Sequence, residues 1–573
     1  MQAWYVYSKK ADFAAIADRF GIDPVTARVI RNRGLTEMEA IDRYLNGSLR
    51  DLHDPGQMLH LPEAVHTLIE AVKQREGIRI IGDYDIDGIC SVYILYRGLL
   101  RIGADVDYDV PDRITDGYGL NIRLVEEAVK DHRGVLLTCD NGIAATEAIA
   151  YAKQCGLTVV VTDHHEVPYT EAGGEKNYEL PPADVVVDPK QPGETYPFRE
   201  LCGAGIAYKL VTLLYEECGI PVKEAEKLLE FAAIATVGDV VELQDENRIL
   251  VREGLKRVRE TSNPGLRALI ELTGLGNKTI GAYHIGFVLG PCLNASGRLD
   301  SAKRGIRMLC EKDPAEAAKL AGDLKALNDE RKSMTDRAVK EGIDSVLREG
   351  REHDPVLVIL LENCHESIAG IVAGKVRERF YRPTIVLTKT EEGLKGSGRS
   401  IEEYNLFEKL TQQKDLLTRF GGHAMAAGLS LPEENLEPLR ERLKASAGLS
   451  EADLTQKVWI DVPMPVDYAS EKVIKDLERL APFGKGNEKP VFADKNLMID
   501  AVQAMGKENQ YTRMILTKDN GYSVRAVGFF PPGELIEAQR DGKRVDCTYY
   551  PEINEYRGIS QLQISVTGYK IHV

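Results

Sequence analysis

The sequence predicts an α/β protein: two parallel-sheet α/β domains joined by a long helix, followed by a small C-terminal β-barrel of the OB type. Three observations predict it. Short apolar runs alternate with helical patterns between about residues 61 and 305, and again between about 350 and 450, which is the βαβ rhythm of a parallel sheet. Between them, AEAAKLAGDLKALNDERKSMTDRAVKEGIDSVLRE repeats apolar residues every three or four positions among mixed charges and reads as one long helix. Beyond about residue 455 the chain turns to strand-like runs broken by turn signals. At ~150 residues per domain, 573 residues with 43% apolar content leave room for several such units.

In chain order, residues 1–60 mix short helical patterns with turn signals (RFGIDP, RNRGLTE, LNGSL) and read as a helical accessory segment. In the domain at 61–305 the strands are IRII at 78–81, VLL at 135–137, LTVVV at 157–161 and DVVV at 184–187, with helical text such as LNIRLVEEAVKD between them. Residues 306–349 form the connecting helix. In the domain at 350–450, VLVILL at 356–361 opens a strand. Ile368, Ile371, Val372, Val376 and Phe380 then share one helix face before Arg382-Pro383 and the strand TIVL. In residues 455–573, KVWIDVPM, NLMIDAVQAM, YTRMILT, YSVRAVGFF, KRVDCTYY and LQISVTGYKIHV supply about five strands, with turns at Asp519-Asn520-Gly521 and Arg557-Gly558.

Composition excludes several classes. The 73 Lys+Arg against 89 Asp+Glu give a net charge of −16, so no global basic field holds a polyanion and any nucleic-acid contact is local. Nine scattered cysteines with no Cys-x-x-Cys pair argue against a disulfide framework and against a thiolate zinc site, so a cytoplasmic location is expected. MQAWYVYSKKADF lacks the apolar stretch of an export signal, and no apolar run approaches ~18 residues, so no membrane association is expected.

The chemistry lies just after the strands. IRIIG runs into Asp83, Asp85 and Asp87; VLLTC into Asp140; TVVVT into Asp163, His164 and His165. In a parallel sheet these ends share one edge, where ligands bind. Carboxylates gathered there repel one another unless cations neutralise them, and divalent metals do so economically. The D-x-D-x-D alternation lets acids share one side, Gly88 permits a tight turn, and the following helix offers its amide end to an anion. Alone, such a run is more often an ordinary loop or a calcium loop. Three strand-terminal hits with oxygen and imidazole donors point instead to a dinuclear metal site.

GDYDIDG, TCDNG and VTDHH, in this order, resemble motifs of the DHH phosphoesterase superfamily. PDRITDGYGL, DPKQPGETYPFRELCGAG, ATVGDVVELQDENR, LNASGRLDSA, HESIAGIVAGKVRERF, KGSGRS, GGHAMAAG and LAPFGKGNEKPVF are similar, within it, to segments of the RecJ family of single-strand-specific 5′-to-3′ DNA exonucleases. The resemblance implies a DHH domain, a DHH-associated domain and an OB fold, acting in DNA repair and recombination. It implies two metal ions, with Mn²⁺ preferred and Mg²⁺ tolerated, held by Asp83, Asp85, Asp87, Asp140, His164 and Asp239, with Asp140 bridging. Asp83 is the least secure ligand. His165 is placed beside the ligands or at the scissile phosphate. Taken alone, Asp239 would be a helix-cap aspartate, and Arg298, read as part of a Gly/Ser-rich loop, would be equally a phosphate contact or a surface arginine; the resemblance makes Asp239 a ligand and Arg298 a catalytic phosphate contact.

By the same resemblance Arg113, Ser397 and Arg399 form a 5′-phosphate pocket, and His423 contacts the nucleic-acid backbone nearby. The chain departs from the family pattern in carrying Ser367 after His365-Glu366, a change expected at a helix start. Tyr511, Tyr522, Phe529, Tyr549, Tyr550 and Tyr556 are candidate base-stacking platforms, although strand aromatics are more often core. Arg377, Arg379, Arg382, Lys395, Arg399 and Lys485 are expected to gather along the strand's path. Single-stranded DNA is the implied partner of a monomer, with a single-strand-binding protein and a RecQ-type helicase as implied protein partners. Three alternatives share the metals or the fold: a phosphodiesterase of short oligonucleotides or cyclic dinucleotides, an inorganic pyrophosphatase, and a non-catalytic nucleic-acid-binding scaffold. The added barrel argues against the first two and the intact acids against the third.

Overall fold

In the computed structural model, which describes residues 2–113, 116–172, 175–299, 301–556 and 558–572, the chain folds around three sheets and a connecting helix. The first strand, β1 (Gln2–Val6), departs from the helical expectation for residues 1–60. It pairs in parallel with β14 (Gln456–Ile460), Gln2 opposite Gln456. Trp, Tyr and Val favour a strand, but its partner lies some 450 residues away and left no local signal. The helices that follow bury Ile16, Ala27, Ile30 and Ile41 against barrel residues such as Phe492 and Leu497, so the two ends of the chain share one core.

The catalytic sheet contains β2 (Ile78–Ile81), β3 (Val106–Asp109), β4 (Val135–Cys139), β5 (Thr158–Thr162) and β8 (Val185–Val187), all parallel, in the order β3-β2-β4-β5-β8. Alternate residues face opposite layers. Ile78, Ile80, Val135 and Leu137 pack under one set of helices, and Ile81, Leu136, Val159 and Val161 under the other. The chain goes from β2 to β3 on one side and returns to β4 on the other. That reversal leaves a crevice at the carboxyl ends of β2 and β4, where such folds bind ligands.

The insertion between β5 and β8 forms a two-stranded hairpin, β6 (Tyr169–Ala172) and β7 (Glu175–Tyr178). The connecting helix spans Pro314–Arg348, starting later than expected because Asp313 caps it, accepting from Ala315 N, with proline in the first turn. Lys303–Cys310 forms a separate helix.

The second α/β sheet orders β12 (Arg419–His423), β13 (Ala426–Leu431), β11 (Gly393–Arg399), β10 (Thr384–Thr390) and β9 (Leu357–Leu360). Here the expectation of a parallel sheet needs correction: only β9 and β10 are parallel. The helix Glu366–Phe380 supplies the crossover a parallel pair requires, whereas β10 to β11 and β12 to β13 are joined by two-residue connections that permit only antiparallel pairing.

After the short strand β15 (Val462–Pro463), the C-terminal sheet closes on itself. It contains β16 (Phe492–Met505), β17 (Tyr511–Thr517), β18 (Ser523–Gly528), β19 (Arg544–Tyr556) and β20 (Ile559–Ile571). The ring runs β16-β17-β18-β20-β19 and back to β16, the five-stranded barrel expected. KVWIDVPM lies outside this ring, in β14 and β15. Arg557 of the expected Arg557-Gly558 turn lies outside the described residues.

Candidate metal centre and phosphate pocket

The ends of β2, β4 and β5 bring the three motifs together. Asp83, Asp87 and Asp140 are buried, and Asp85 caps the helix Ile86–Arg101, accepting from Asp87 N at 2.9 Å and Gly88 N at 3.2 Å. The amide end expected to face an external anion is therefore occupied by Asp85 itself. Gly88 also has a different reason from the one expected. It lies within the helix, and a Cβ there would fall 2.3 Å from the Asp83 carbonyl oxygen, so it serves close approach rather than a turn. Asp87 accepts from Gly203 N and Ala204 N, both at 2.7 Å, which docks it on the start of the helix Gly203–Glu217.

Asp140 takes a left-handed backbone, φ 61°, immediately after β4. Its carboxylate lies 3.1 Å from His164 Nε2, which also lies 3.6 Å from Asp87 and 3.8 Å from Asp239. Two donor groups result, Asp83–Asp85–Asp140 and Asp87–His164–Asp239, and within each the candidate ligand atoms lie within 4.8 Å of one another. Asp140 also forms such a group with His164 and His165, so it is common to both sides of the site.

The electrostatics mark the cluster as incomplete by itself. Burial, then the charge of Asp85, pushes Asp83 well above the usual carboxylate range; burial, then Asp87, Asp85, Asp83 and Asp239, does the same to Asp140. Asp239 is lifted to about 8 by burial and by Asp87 and Asp85. It sits at the C-terminal end of the helix Leu229–Gly238, where the helix dipole disfavours a carboxylate, so it is no ordinary cap. One Asp83 oxygen is buried without a hydrogen-bond partner. A buried orphan acceptor among carboxylates whose charge burial and mutual repulsion disfavour is what a hard divalent cation would relieve, and the oxygen and imidazole donors fit one.

Sequence reading missed the groups that orient the donors. Asp163 accepts from Ile143 N at 2.9 Å and binds His165 Nδ1 at 2.7 Å. Burial alone would lower His165, but its Asp163 hydrogen bond and the charges of Asp163, Asp239 and Asp87 outweigh this and raise it to about 9. Tyr118 donates to the Asp140 carbonyl at 2.8 Å and lies 3.1 Å from His165 Nε2. Asn141 spans β2 and β4, donating to Ile81 O and Cys139 O. Tyr118 stands inside a quoted motif, which was its only signal; Asp163 was legible as a strand-end carboxylate but not as the group that orients His165.

Beside Tyr84 and Asp85 lies a set of arginines. Arg298 is 2.9 Å from Ser367 O, which joins the catalytic unit to the second α/β unit. Burial, followed by Arg113 and Arg331, lowers Arg298 to about 10; burial, Arg377 and Arg113 lower Arg399. Among the described residues no carboxylate lies within 4.0 Å of the Arg113, Arg298, Arg331 or Arg399 guanidinium nitrogens. Sheet register puts Arg399, Ala426 and His423 in one row, with Ser397 two residues before Arg399. Ser367 lies at the start of the helix Glu366–Phe380, where its hydroxyl is 2.7 Å from His365 Nδ1.

The expected cationic path forms only in part. Arg377 joins Arg399, but Lys395 pairs with Glu366 at 2.8 Å, Arg382 donates to the carbonyls of Phe380, Tyr381 and Leu454, and Arg379 is exposed on its helix. Lys485 lies elsewhere, on a groove of about 1260 Å³ that begins beside Asp239 and is also lined by Tyr283, Phe287, Phe483 and Lys489. Of the candidate stacking residues, Tyr549 and Tyr550 are barrel core and Tyr522 is half-buried against it. Tyr511 and Phe529 are exposed as an edge-to-face pair 5.4 Å apart, and the Tyr556 side chain lies outside the described residues.

With this geometry in hand, known proteins give a consistent answer. The chain matches the DHH family N-terminal domain over residues 77–236, the DHHA1 domain over 353–448 and the RecJ OB domain over 460–568. It is 36% identical over 556 residues to the single-stranded-DNA-specific exonuclease RecJ of Bacillus subtilis, covering 96% of this chain and 68% of that protein. The chain belongs to the RecJ family. The Haemophilus influenzae RecJ is 32% identical with 95% of both chains covered. The crystal structure of RecJ in complex with Mn²⁺ from Thermus thermophilus superposes with a TM-score of 0.82 at 28% identity, over 99% of this chain and 79% of that one. The family's three domains thus coincide with the parallel sheet, the mixed sheet and the closed barrel.

Proposed function

We propose that this chain is a metal-dependent exonuclease that degrades single-stranded DNA from the 5′ end by phosphodiester hydrolysis. The observation that carries the reading is Asp140, which groups with Asp83 and Asp85 and also with His164 and His165, beside arginines that have no carboxylate within 4.0 Å among the described residues. Asp83, Asp85 and Asp140 would hold one divalent ion, and Asp87, His164, Asp239 and Asp140 the other, with Mn²⁺ preferred and Mg²⁺ accepted. When bound, the ions supply an activated water and positive charge for the transition state.

The protein's own groups do the rest. Asp163 fixes the ring of His165, which is placed to donate to a phosphate oxygen. Arg298 has one guanidinium nitrogen on Ser367 O and, among the described residues, no acceptor on its remaining donors, which can fork onto the charge that develops on phosphorus. Arg113, Ser397 and Arg399 receive the terminal 5′-phosphate, and His423 at the end of the same row meets the backbone. A pocket that accepts only an end gives exonuclease action. The groove beside Asp239, with aromatic walls and Lys485 and Lys489, gives the following bases a sequence-tolerant track. The proposal includes a cytoplasmic monomer working with a single-strand-binding protein and a RecQ-type helicase. The nine free cysteines fit that compartment, and no helix among the described residues is long and apolar enough to cross a membrane.

The test uses purified chain, Mn²⁺ and a 5′-phosphorylated, 3′-labelled oligonucleotide, single-stranded or paired, beside Asp140→Ala. Progressive shortening of the single strand alone, from its 5′ end and absent in the variant, is the expected result. An inert long strand with cleavage of dinucleotides would move the function to short-oligonucleotide turnover.

A further inference from the structure

We propose that Tyr84 is a positioning residue that sets Arg113 in place, and through it the preference of the site for a strand end bearing a 5′-phosphate. The inference rests on the reading of Arg113, Ser397 and Arg399 as the 5′-phosphate pocket.

Tyr84 stands between Asp83 and Asp85, so its backbone is held by the same strand end as the carboxylates. The Arg113 guanidinium lies over its ring, 5.0 Å from the centroid. The ring is itself braced. Tyr118 meets it edge-on at 6.1 Å and 90°, and Tyr118 is tied to the Asp140 carbonyl. The Tyr84 carbonyl sets a further distance: a Cβ at Gly297 would fall 2.1 Å from that oxygen, so only glycine lets the backbone before Arg298 approach. One residue thus references two phosphate-facing arginines to the donor cluster, Arg113 by its ring and Arg298 by its carbonyl.

Arg113 needs such a reference. Among the described residues it has no ion-pair partner, and it belongs to a loop rather than to a helix or strand. A free arginine would have to be immobilised each time a phosphate arrives, whereas one laid on a braced ring is pre-organised. The Tyr84 hydroxyl makes no hydrogen bond among the described residues, so the ring carries the role and phenylalanine should fill it.

The experiment compares kcat/KM on matched single strands with a 5′-phosphate and a 5′-hydroxyl, using the full chain with Mn²⁺. Arg113→Ala is expected to lower the phosphate-to-hydroxyl ratio by about tenfold or more. Tyr84→Leu is expected to lower it about three- to tenfold, through KM for the phosphorylated strand, and Tyr84→Phe to restore it. In the Arg113→Ala background Tyr84→Leu should change the ratio no further, and Mn²⁺ binding read by electron paramagnetic resonance should match the parent. Equal losses on both substrates, an undiminished effect in the Arg113→Ala background, a Phe variant no better than Leu, or lost Mn²⁺ binding would each overturn the inference while leaving the pocket standing. If Arg113→Ala itself keeps the parent ratio, the pocket reading falls and the inference with it.

Discussion

Arg248 is buried and Arg298 half-buried, and desolvation lowers both to about 10, yet they are built differently. Arg248 lies 3.9 Å over the Tyr44 ring and donates to the carbonyls of Tyr44, Leu480, Arg479 and Ala481, joining the N-terminal helices, the catalytic unit and the segment leading into the barrel. Among the described residues Arg298 has one hydrogen-bond acceptor, Ser367 O, and two neighbouring cations. Desolvation alone does not mark a functional site; spare donors do. The carboxylate cluster opposite obeys the same rule with reversed sign. Asp83 keeps an unpartnered oxygen and Asp140 is surrounded by like charge, so this region waits for cations and the arginine region for an anion.

The largest break in that comparison comes at the shared carboxylate. Asp140→Ala should lower exonuclease turnover by about 10³-fold or more, because the Asp83–Asp85–Asp140 group loses a member and the His164 of the other group loses its neighbouring carboxylate. The same change relieves repulsion, so the metal-free variant should melt above the metal-free parent, whereas Mn²⁺ should stabilise only the parent strongly. Calorimetry with chelator and with Mn²⁺ checks both, and a variant that melts lower without metal would contradict the picture of an internally repelling cluster.

Next in size is the arginine pair itself. Arg298→Ala should lower kcat about 10²- to 10³-fold with little loss of melting temperature, since one protein hydrogen bond is removed and mutual repulsion falls. Arg248→Ala should do the reverse, costing about 3–5 kcal/mol of stability while the folded fraction keeps its kcat. Paired denaturation and single-turnover measurements separate the two, and similar outcomes for both would erase the distinction between spare and committed donors.

A smaller effect follows from proton linkage. Metal-free Asp239, lifted to about 8, keeps a proton in the folded chain that an unfolded carboxyl, with a pKa of ~4, has lost. The folded state therefore binds more protons in that window, and its stability falls as pH rises from ~4 toward about 8. His165, raised to about 9, acts in the same direction: its contribution is present below ~6.5 and is lost as pH rises through 9. Mn²⁺ should oppose the trend, because it binds the deprotonated donors better as pH rises. Melting curves with chelator from pH 5 to 9 should slope downward, and a flat profile would refute the assignment.

What was legible in the sequence was what periodicity and strand ends encode locally. Asp83, Asp85, Asp140 and His164 follow apolar runs, and a parallel sheet brings such ends together whatever lies between them. Asp239 follows a helix and Arg298 lies in one, Gly290–Leu299, rather than in a loop, so neither carried such a signal; the family resemblance, not their spacing, singled them out. The β1–β14 ribbon and the Arg248 junction depend on residues hundreds of positions apart, which no window of sequence connects. The pairing of the second sheet is hidden for a different reason. One helix between two apolar runs looks alike in parallel and mixed sheets, and only the short connections at 391–392 and 424–425 decide the matter.

The barrel offers the finest version of the opening contrast, with aromatics in place of arginines. Tyr549 is fully buried and donates to Met464 O at 2.7 Å, so it is committed, as Arg248 is. Phe529, 77% exposed, and Tyr511 pack edge-to-face on each other and present exposed ring surface to bases. Removing Phe529 or Tyr511 should therefore cost about 1 kcal/mol of binding, roughly fivefold in KM, and only for strands long enough to span from the phosphate pocket to the barrel. Tyr549→Ala should instead unfold the barrel, with a stability loss of about 3–5 kcal/mol. A length series of oligonucleotides discriminates. If Phe529→Ala weakens short and long strands alike, the pair contributes to the fold or to the site rather than to a distal contact, and exposure alone is no guide to where the strand runs.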